Sequence, residues 1–294
     1  MARLSHNPRA ICNCTGFHQK TIDKNSFVES KCSDEATLAG TNQHVITFSF
    51  YSKPESVRAT KKRYFDGILP NLKVMKKIYP GWIMRVHTNA SYTPEVCDLV
   101  CADEKLFFCD IRGLQRFAPH VESVDPMLWR SIPMGDPTVK IFASRDLDSR
   151  LSQREKDAVD QWEDSGYPIH GMRDHPLHLT EIMGGMWGAD NYKLCLDVAQ
   201  EINFHMMQRV WKQRSLNDQQ ILSHVVYGQH KNKILTHDSY TCNVYNDSIP
   251  FPTKRPQSKE YVQRIVVIGS DPTALDKMCP VACRPSYGQN WDYC

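Results

Sequence analysis

The stretch Val139-Lys-Ile-Phe-Ala-Ser-Arg-Asp-Leu-Asp-Ser-Arg150 decides how this chain is read. Val139, Ile141 and Ala143 alternate with other residues and Phe142 adds bulk, the pattern of a half- to fully buried strand that stops at Ser144. Asp146 and Asp148 follow at once. Two residues apart in an extended or turning segment, they can present both carboxylates to one point while Leu147 turns the other way. Two hard oxygen donors at the carboxyl end of a strand suit Mg²⁺ or Mn²⁺, which keep positions open for water and diphosphate oxygens. Arg145 and Arg150 flank the pair, and a guanidinium matches phosphate or a neighbouring carboxylate.

Working outward, His44 to Tyr51 reads as a first strand, with Val45, Ile46, Phe48 and Phe50 in a β-branched and aromatic run. Ser52-Lys-Pro-Glu55 is a capping box that opens a helix, Gly67 and Pro70 interrupt it, and a second helix runs to Tyr79. Pro80-Gly81 turns the chain into a second strand, Trp82 to Thr88. Strand, helix and strand at this spacing form a βαβ unit and call for a parallel sheet, whose ligands sit outside the carboxyl ends of its strands. Further elements are expected at Pro94 to Ala102 (helix), Lys105 to Ile111 (strand), Asp125 to Met134 (helical), Glu155 to Asp164 (helix capped by Ser152) and Pro168 to Met172 (strand). Tyr192 to Trp211 and Leu216 to Tyr227 read as helices, and Lys233 to Thr236 and Tyr261 to Gly269 as strands.

The acidic stretch resembles the Asp-x-Asp motif of metal-dependent GT-A-type glycosyltransferases. Short matches follow in the order of the glycogenin-like enzymes: a leading strand near Val45, then Gly184-Gly185, Asp218-Gln219 and His237. The resemblance implies an α/β, GT-A-like single domain over residues 44–245, built on a mostly parallel nucleotide-binding sheet flanked by helices. A polar tail (1–43) precedes it, and a strand and cysteine-rich tail (246–294) pack on it. It implies transfer of a monosaccharide from a nucleotide-diphosphate sugar, a UDP-sugar first, to a hydroxyl of a glycan, protein or small molecule. In that reading Asp146, Asp148 and His237 hold Mn²⁺ or Mg²⁺, Tyr51 and Ser52 meet the nucleotide, and Arg130 and Arg145 add positive charge at the diphosphate. Gly184, Gly185 and Trp187 face the sugar, while Asp174 or Asp218, with Gln219, contacts the donor sugar or deprotonates the acceptor.

Each assignment has a plainer competitor. Tyr51 can be a packed aromatic, Arg130 a surface salt bridge, His237 a satisfied structural histidine, and Trp187 a core residue beside a tight turn. Arg173-Asp-His-Pro-Leu-His178 is either an acceptor or catalytic loop or an electrostatically paired turn. At the level of the whole chain, the competitors are a catalytically inactive carbohydrate-binding or scaffold protein and a sugar nucleotidyltransferase.

The 294 residues, 41% hydrophobic with a net charge of +3, describe a globular chain able to bury a core and lack the basic excess of a nucleic-acid binder. Eleven cysteines without a paired zinc framework point to disulfides, with at least one thiol left over, and so to the lumen of the secretory pathway or to secretion. Asn13-Cys-Thr, Asn89-Ala-Ser and Asn246-Asp-Ser fit the glycosylation pattern. No signal peptide or membrane anchor is read in this chain, so a targeting segment would lie outside it, and a cytoplasmic protein with reduced thiols is the alternative. Between Lys53 and Lys77 eight Lys and Arg stand against Glu55 and Asp66, either a solvated helix face or a surface for an acidic polysaccharide.

Overall fold

The buried run at residues 139–144 is a strand in the computed structural model, which describes residues 7–16, 28–51, 64–115, 117, 121–212, 216–256, 260–266 and 275–294. Seven strands form one sheet: β1 (Gln43–Phe50), β2 (Ile83–Thr88), β3 (Leu106–Asp110), β4 (Val139–Ser144), β5 (Ile169–Arg173), β6 (Trp187–Asp190) and β7 (Ile234–Asp238). Their order is β3-β2-β1-β4-β6-β5-β7. Neighbours are parallel except where β6 runs against β4 and β5. The fold is thus α/β with a mostly parallel sheet.

Helices cover both faces, as a sheet with few solvent-facing positions demands. They include α1 (Ile68–Ile78), α2 (Pro94–Val100), α3 (Gln153–Asp164) and α4 (Leu196–Lys212). Alternation along β4 sets the two cores apart. Phe142 joins Val45, Trp187 and, from α4, Ala199, Ile202 and Met206. Ile141 and Ala143 point the other way, to Phe48 and Val86, to Ile68, Leu72 and Met75 of α1, and to Val159 and Trp162 of α3. Burying each of these large side chains contributes roughly 1.5–3 kcal/mol. Local chemistry starts the helices: Ser152 accepts the Glu155 N–H to open α3, and Thr93 with Pro94 opens α2.

Strands β1, β2 and β3 build outward in one direction, and the chain then returns to lay β4 on the free side of β1. The crevice beyond the carboxyl ends of β1 and β4 is therefore a topological switch point, the place where open α/β sheets bind ligands.

Three elements differ from expectation. The helix expected over Tyr192 to Trp211 breaks at Cys195, whose φ of +68° ends a short helix, Asn191–Leu194, before α4 begins. The glycine-rich stretch after Met183 leads into a strand, β6, because Gly188 lets its backbone pass close to the Phe142 carbonyl, where a Cβ would collide. The last expected strand, Tyr261 to Gly269, reduces within the described residues to a bridge between Ile265 and Ser149. Residues 267–269, the capping box at 52–55 and the basic residues 53–63 lie outside the described residues.

Five disulfides close the molecule. Cys12–Cys97, Cys14–Cys101 and Cys32–Cys109 tie the N-terminal segment to α2 and β3, while Cys242–Cys283 and Cys279–Cys294 hold the C-terminal segment. Cys195 is left with a free, exposed thiol. This pattern fits a secreted or lumenal protein. Among the described residues no helix is long and apolar enough to cross a membrane.

Candidate active site

A cleft of about 560 Å³ opens at the switch point. The end of β1 gives it Ser49, Phe50 and Tyr51, and the turn after β4 gives Asp146, Asp148 and Ser149. Pairing between β1 and β4 continues past Ser144, since the Arg145 N–H donates to the Thr47 carbonyl at 3.0 Å. Beyond it the chain turns, and Asp146, Leu147 and Asp148 all line the cleft, Asp148 at only 5% exposed and Leu147 packed into the core beneath. On α1, Asn71 donates to the Leu147 and Ser149 carbonyls and accepts the Leu151 N–H, fixing one side of the turn.

Arg130 reaches the cleft from the short helical segment Pro126–Ser131, which Asp125 caps. Its backbone N–H donates to the Ser49 hydroxyl at 3.0 Å. One arm of its guanidinium pairs with Asp146, and the other with Asp218 at 2.8 Å. Burial lowers the guanidinium's pKa, yet the two carboxylates more than offset this and raise it. Asp218 is 6% exposed, and burial pushes its carboxyl upward against the pull of Arg130.

The glycine pair closes this corner. The Gly184 N–H donates to Gln219 Oε1 at 3.0 Å, Gln219 also donates to the Ile182 carbonyl, and the Gly184 carbonyl accepts the Ser144 hydroxyl at 2.8 Å. A Cβ on Gly184 would collide with Asp218 and Arg130, and one on Gly185 with Asp146. Only glycine lets backbone and charged groups approach so closely.

His178 also lines the cleft. Its Nδ1 accepts the Asp174 N–H at 3.1 Å, which puts the ring proton on Nε2. Burial pulls its pKa down to about 4, against the influence of Asp174. Neutral and already accepting at Nδ1, His178 can donate a hydrogen bond to a ligand but has no lone pair left to take a proton.

The structure brings Arg130, Asp146, Asp148, Tyr51 and Gly185 into one cleft wall, with Gly184, Asp218 and Gln219 directly behind it. Other expected positions lie elsewhere. His237 is fully buried between His170 at 2.8 Å and Gln161 at 2.9 Å, which occupy both ring nitrogens, so it is no partner of the acidic pair. Arg145 turns inward to Glu155 at 2.6 Å and to the Ser144 and Trp187 carbonyls, not to the cleft. Trp187 is 1% exposed and packs edge-on to Phe142 in the core. Asp174 is buried between Arg154 and Arg255 and accepts the Ser239 hydroxyl, so it bears on the cleft only indirectly, through its backbone N–H to His178 and its carboxylate to the Val262 N–H. Burial would raise Asp174, but the two arginines hold it below the usual carboxylate range. Ser52 lies outside the described residues.

Gln263 is among the wall residues for which the sequence carries no signal, as are Tyr64 and Met127. Gln263 arrives by the return of the C-terminal segment, and nothing in its neighbourhood marks it.

No protein-family model matches the chain, and no curated protein matches it.

The donor set fits a hydrated Mg²⁺ or Mn²⁺. Such ions take one or two carboxylates and leave their other positions to water and phosphate oxygens. Asp146 and Asp148 supply two carboxylates in one wall, and Arg130 now competes for the first. Among the described residues the one triple of His, Cys, Asp or Glu ligand atoms in mutual reach is Asp238, Cys242 and Cys283, and both its sulfurs are spent in a disulfide.

Proposed function

We propose that this chain is a metal-dependent glycosyltransferase with a GT-A-like fold, which moves a monosaccharide from a nucleotide-diphosphate sugar, a UDP-sugar first, to a hydroxyl acceptor. The observation that carries the reading is the meeting of Asp146, Asp148, Arg130 and the Gly185 backbone in one cleft at the carboxyl ends of β1 and β4. Asp146 and Asp148 would hold Mn²⁺ or Mg²⁺, which when bound neutralises charge on the leaving diphosphate. Arg130 adds fixed positive charge to the same wall, preorganised by Asp218 and Ser49. Tyr51, whose phenol burial pushes up to about 12, stays neutral and offers an aromatic face at the end of β1. His178 supplies a neutral donor to a sugar or acceptor hydroxyl. In the transfer the acceptor oxygen bonds to the anomeric carbon, the bond from that carbon to the diphosphate oxygen breaks, and the acceptor proton passes to a base. The five disulfides support a lumenal or secreted location.

A sugar nucleotidyltransferase would need a glycine-rich phosphate loop after the first strand, and residues 52–55 contain no glycine. The test is a panel of nucleotide sugars assayed for Mn²⁺-dependent hydrolysis and transfer, with wild type and Asp148→Asn. Turnover that needs Mn²⁺ and fails in the variant supports the reading. Equal turnover by both, with and without chelator, removes the metal. A protein neither active nor stabilised by UDP plus Mn²⁺ would be a non-catalytic binding or scaffold protein.

A further inference from the structure

The acidic turn is gripped from two sides, and only one grip is comfortable. Asn71 holds it from α1 with good geometry. From the other side comes the segment Val262–Val266. The Gln263 Oε1 accepts the Asp146 N–H at 3.3 Å, the Gln263 carbonyl accepts the Ser149 hydroxyl at 3.1 Å, and the Val266 N–H donates to the Asp148 carbonyl at 2.7 Å. Deep in the interior, the Val262 N–H donates to Asp174 at 2.9 Å, which anchors the start of this segment.

Gln263 holds its place under two penalties. Its φ is +64°, a left-handed conformation that non-glycine residues rarely adopt, and its Nε2 is buried without a hydrogen-bond partner among the described residues. The residue is 8% exposed and lines the cleft. Glycine would remove both penalties together with the acceptor of the Asp146 N–H, so what glutamine adds here is its hold on the acidic turn. Strain and unpaired groups that persist are a mark of sites where geometry matters more than stability.

We propose that Gln263 is the positioning residue of the acidic turn, holding the backbone of Asp146 and the hydroxyl of Ser149 so that both carboxylates stay presented to the cleft. The inference rests on the reading of the cleft as a cation and diphosphate site, but its first test does not. Glycine and asparagine both tolerate a left-handed backbone, and neither reaches the Asp146 N–H as glutamine does. In Gln263→Gly and Gln263→Asn, relief of the left-handed backbone offsets the lost hydrogen bond to Asp146, so both are expected to melt close to the wild-type temperature. Amide exchange in peptides covering Asp146 to Arg150 should speed up by about tenfold, with the body of β4 unchanged. Unchanged exchange in that peptide, or a lower melting temperature with exchange raised throughout the chain, overturns the proposal.

The second measurement is thermal stabilisation by Mn²⁺ plus UDP. Both variants should need about tenfold more ligand than wild type for the same shift. Equal shifts in wild type and variants also overturn the positioning role. No shift in wild type itself refutes the cleft reading, and the exchange result then decides the positioning of the turn alone.

Discussion

Asp146 and Asp218 share one guanidinium: Arg130 stands between them, pairing with the half-exposed acid in the cleft and the nearly buried acid behind it. Removing one partner of a buried charged pair leaves the other uncompensated. Arg130→Met should therefore cost about 3 kcal/mol in urea unfolding, and adding Asp218→Asn should restore at least half of the loss. A single variant as stable as wild type would show that the bridge carries no stability.

The glycines near the cleft should divide by what a methyl group would strike. At Gly185 it meets the end of the Asp146 side chain, which can swing aside; at Gly188 it meets the Phe142 backbone carbonyl, which cannot. Gly188→Ala should destabilise by about 3 kcal/mol. Gly185→Ala should keep nearly the wild-type melting temperature and lose most of the stabilisation by UDP plus Mn²⁺. Equal losses of stability in the two variants would refute the distinction.

Acid should unfold this protein earlier than its carboxylates alone would require. Burial pulls His87 and His237 down to about 3 and His178 to about 4. In the unfolded chain they titrate near 6.5, so below that pH the unfolded state takes up protons that the fold refuses. Stability is then flat with respect to these groups above about pH 6.5 and falls below it, by on the order of 5 kcal/mol at pH 5.0 for the three together. Urea unfolding at pH 6.5 and 5.0 measures the loss, and identical values would refute it. Replacing His237 with glutamine should reduce the slope.

The N-terminal disulfides should matter to stability and not to the cleft, because they staple α2 and β3 rather than the ends of β1 and β4. Cys14→Ser with Cys101→Ser should cost about 2–4 kcal/mol. Stabilisation by UDP plus Mn²⁺ should persist in that variant. Its disappearance would show that the staples shape the site.

Local pattern sufficed where burial and backbone chemistry act over a few residues. The period-two run at Val139–Ser144, the acids behind it, the Ser152 cap and most of the helix expected over Tyr192 to Trp211 could be read because each depends on neighbours in sequence. Partnership could not be read that way. Arg145 and Arg130 are equally plausible phosphate residues by type, yet the turn after β4 points the first at Glu155 and the packing of Pro126–Ser131 brings the second to Asp146. His237 lies within β7 and faces His170 on the neighbouring strand β5, so its ring is spent inside the fold.

A mostly parallel α/β sheet with two acids at the end of a central strand was legible in the residues alone, because hydrophobic period and turn chemistry are local. Which charges meet at those acids, and that Gln263, far along the chain, closes the wall beside them, follow from packing in three dimensions. Which side chains meet depends on crossovers and chain return, and a linear pattern of burial does not encode them.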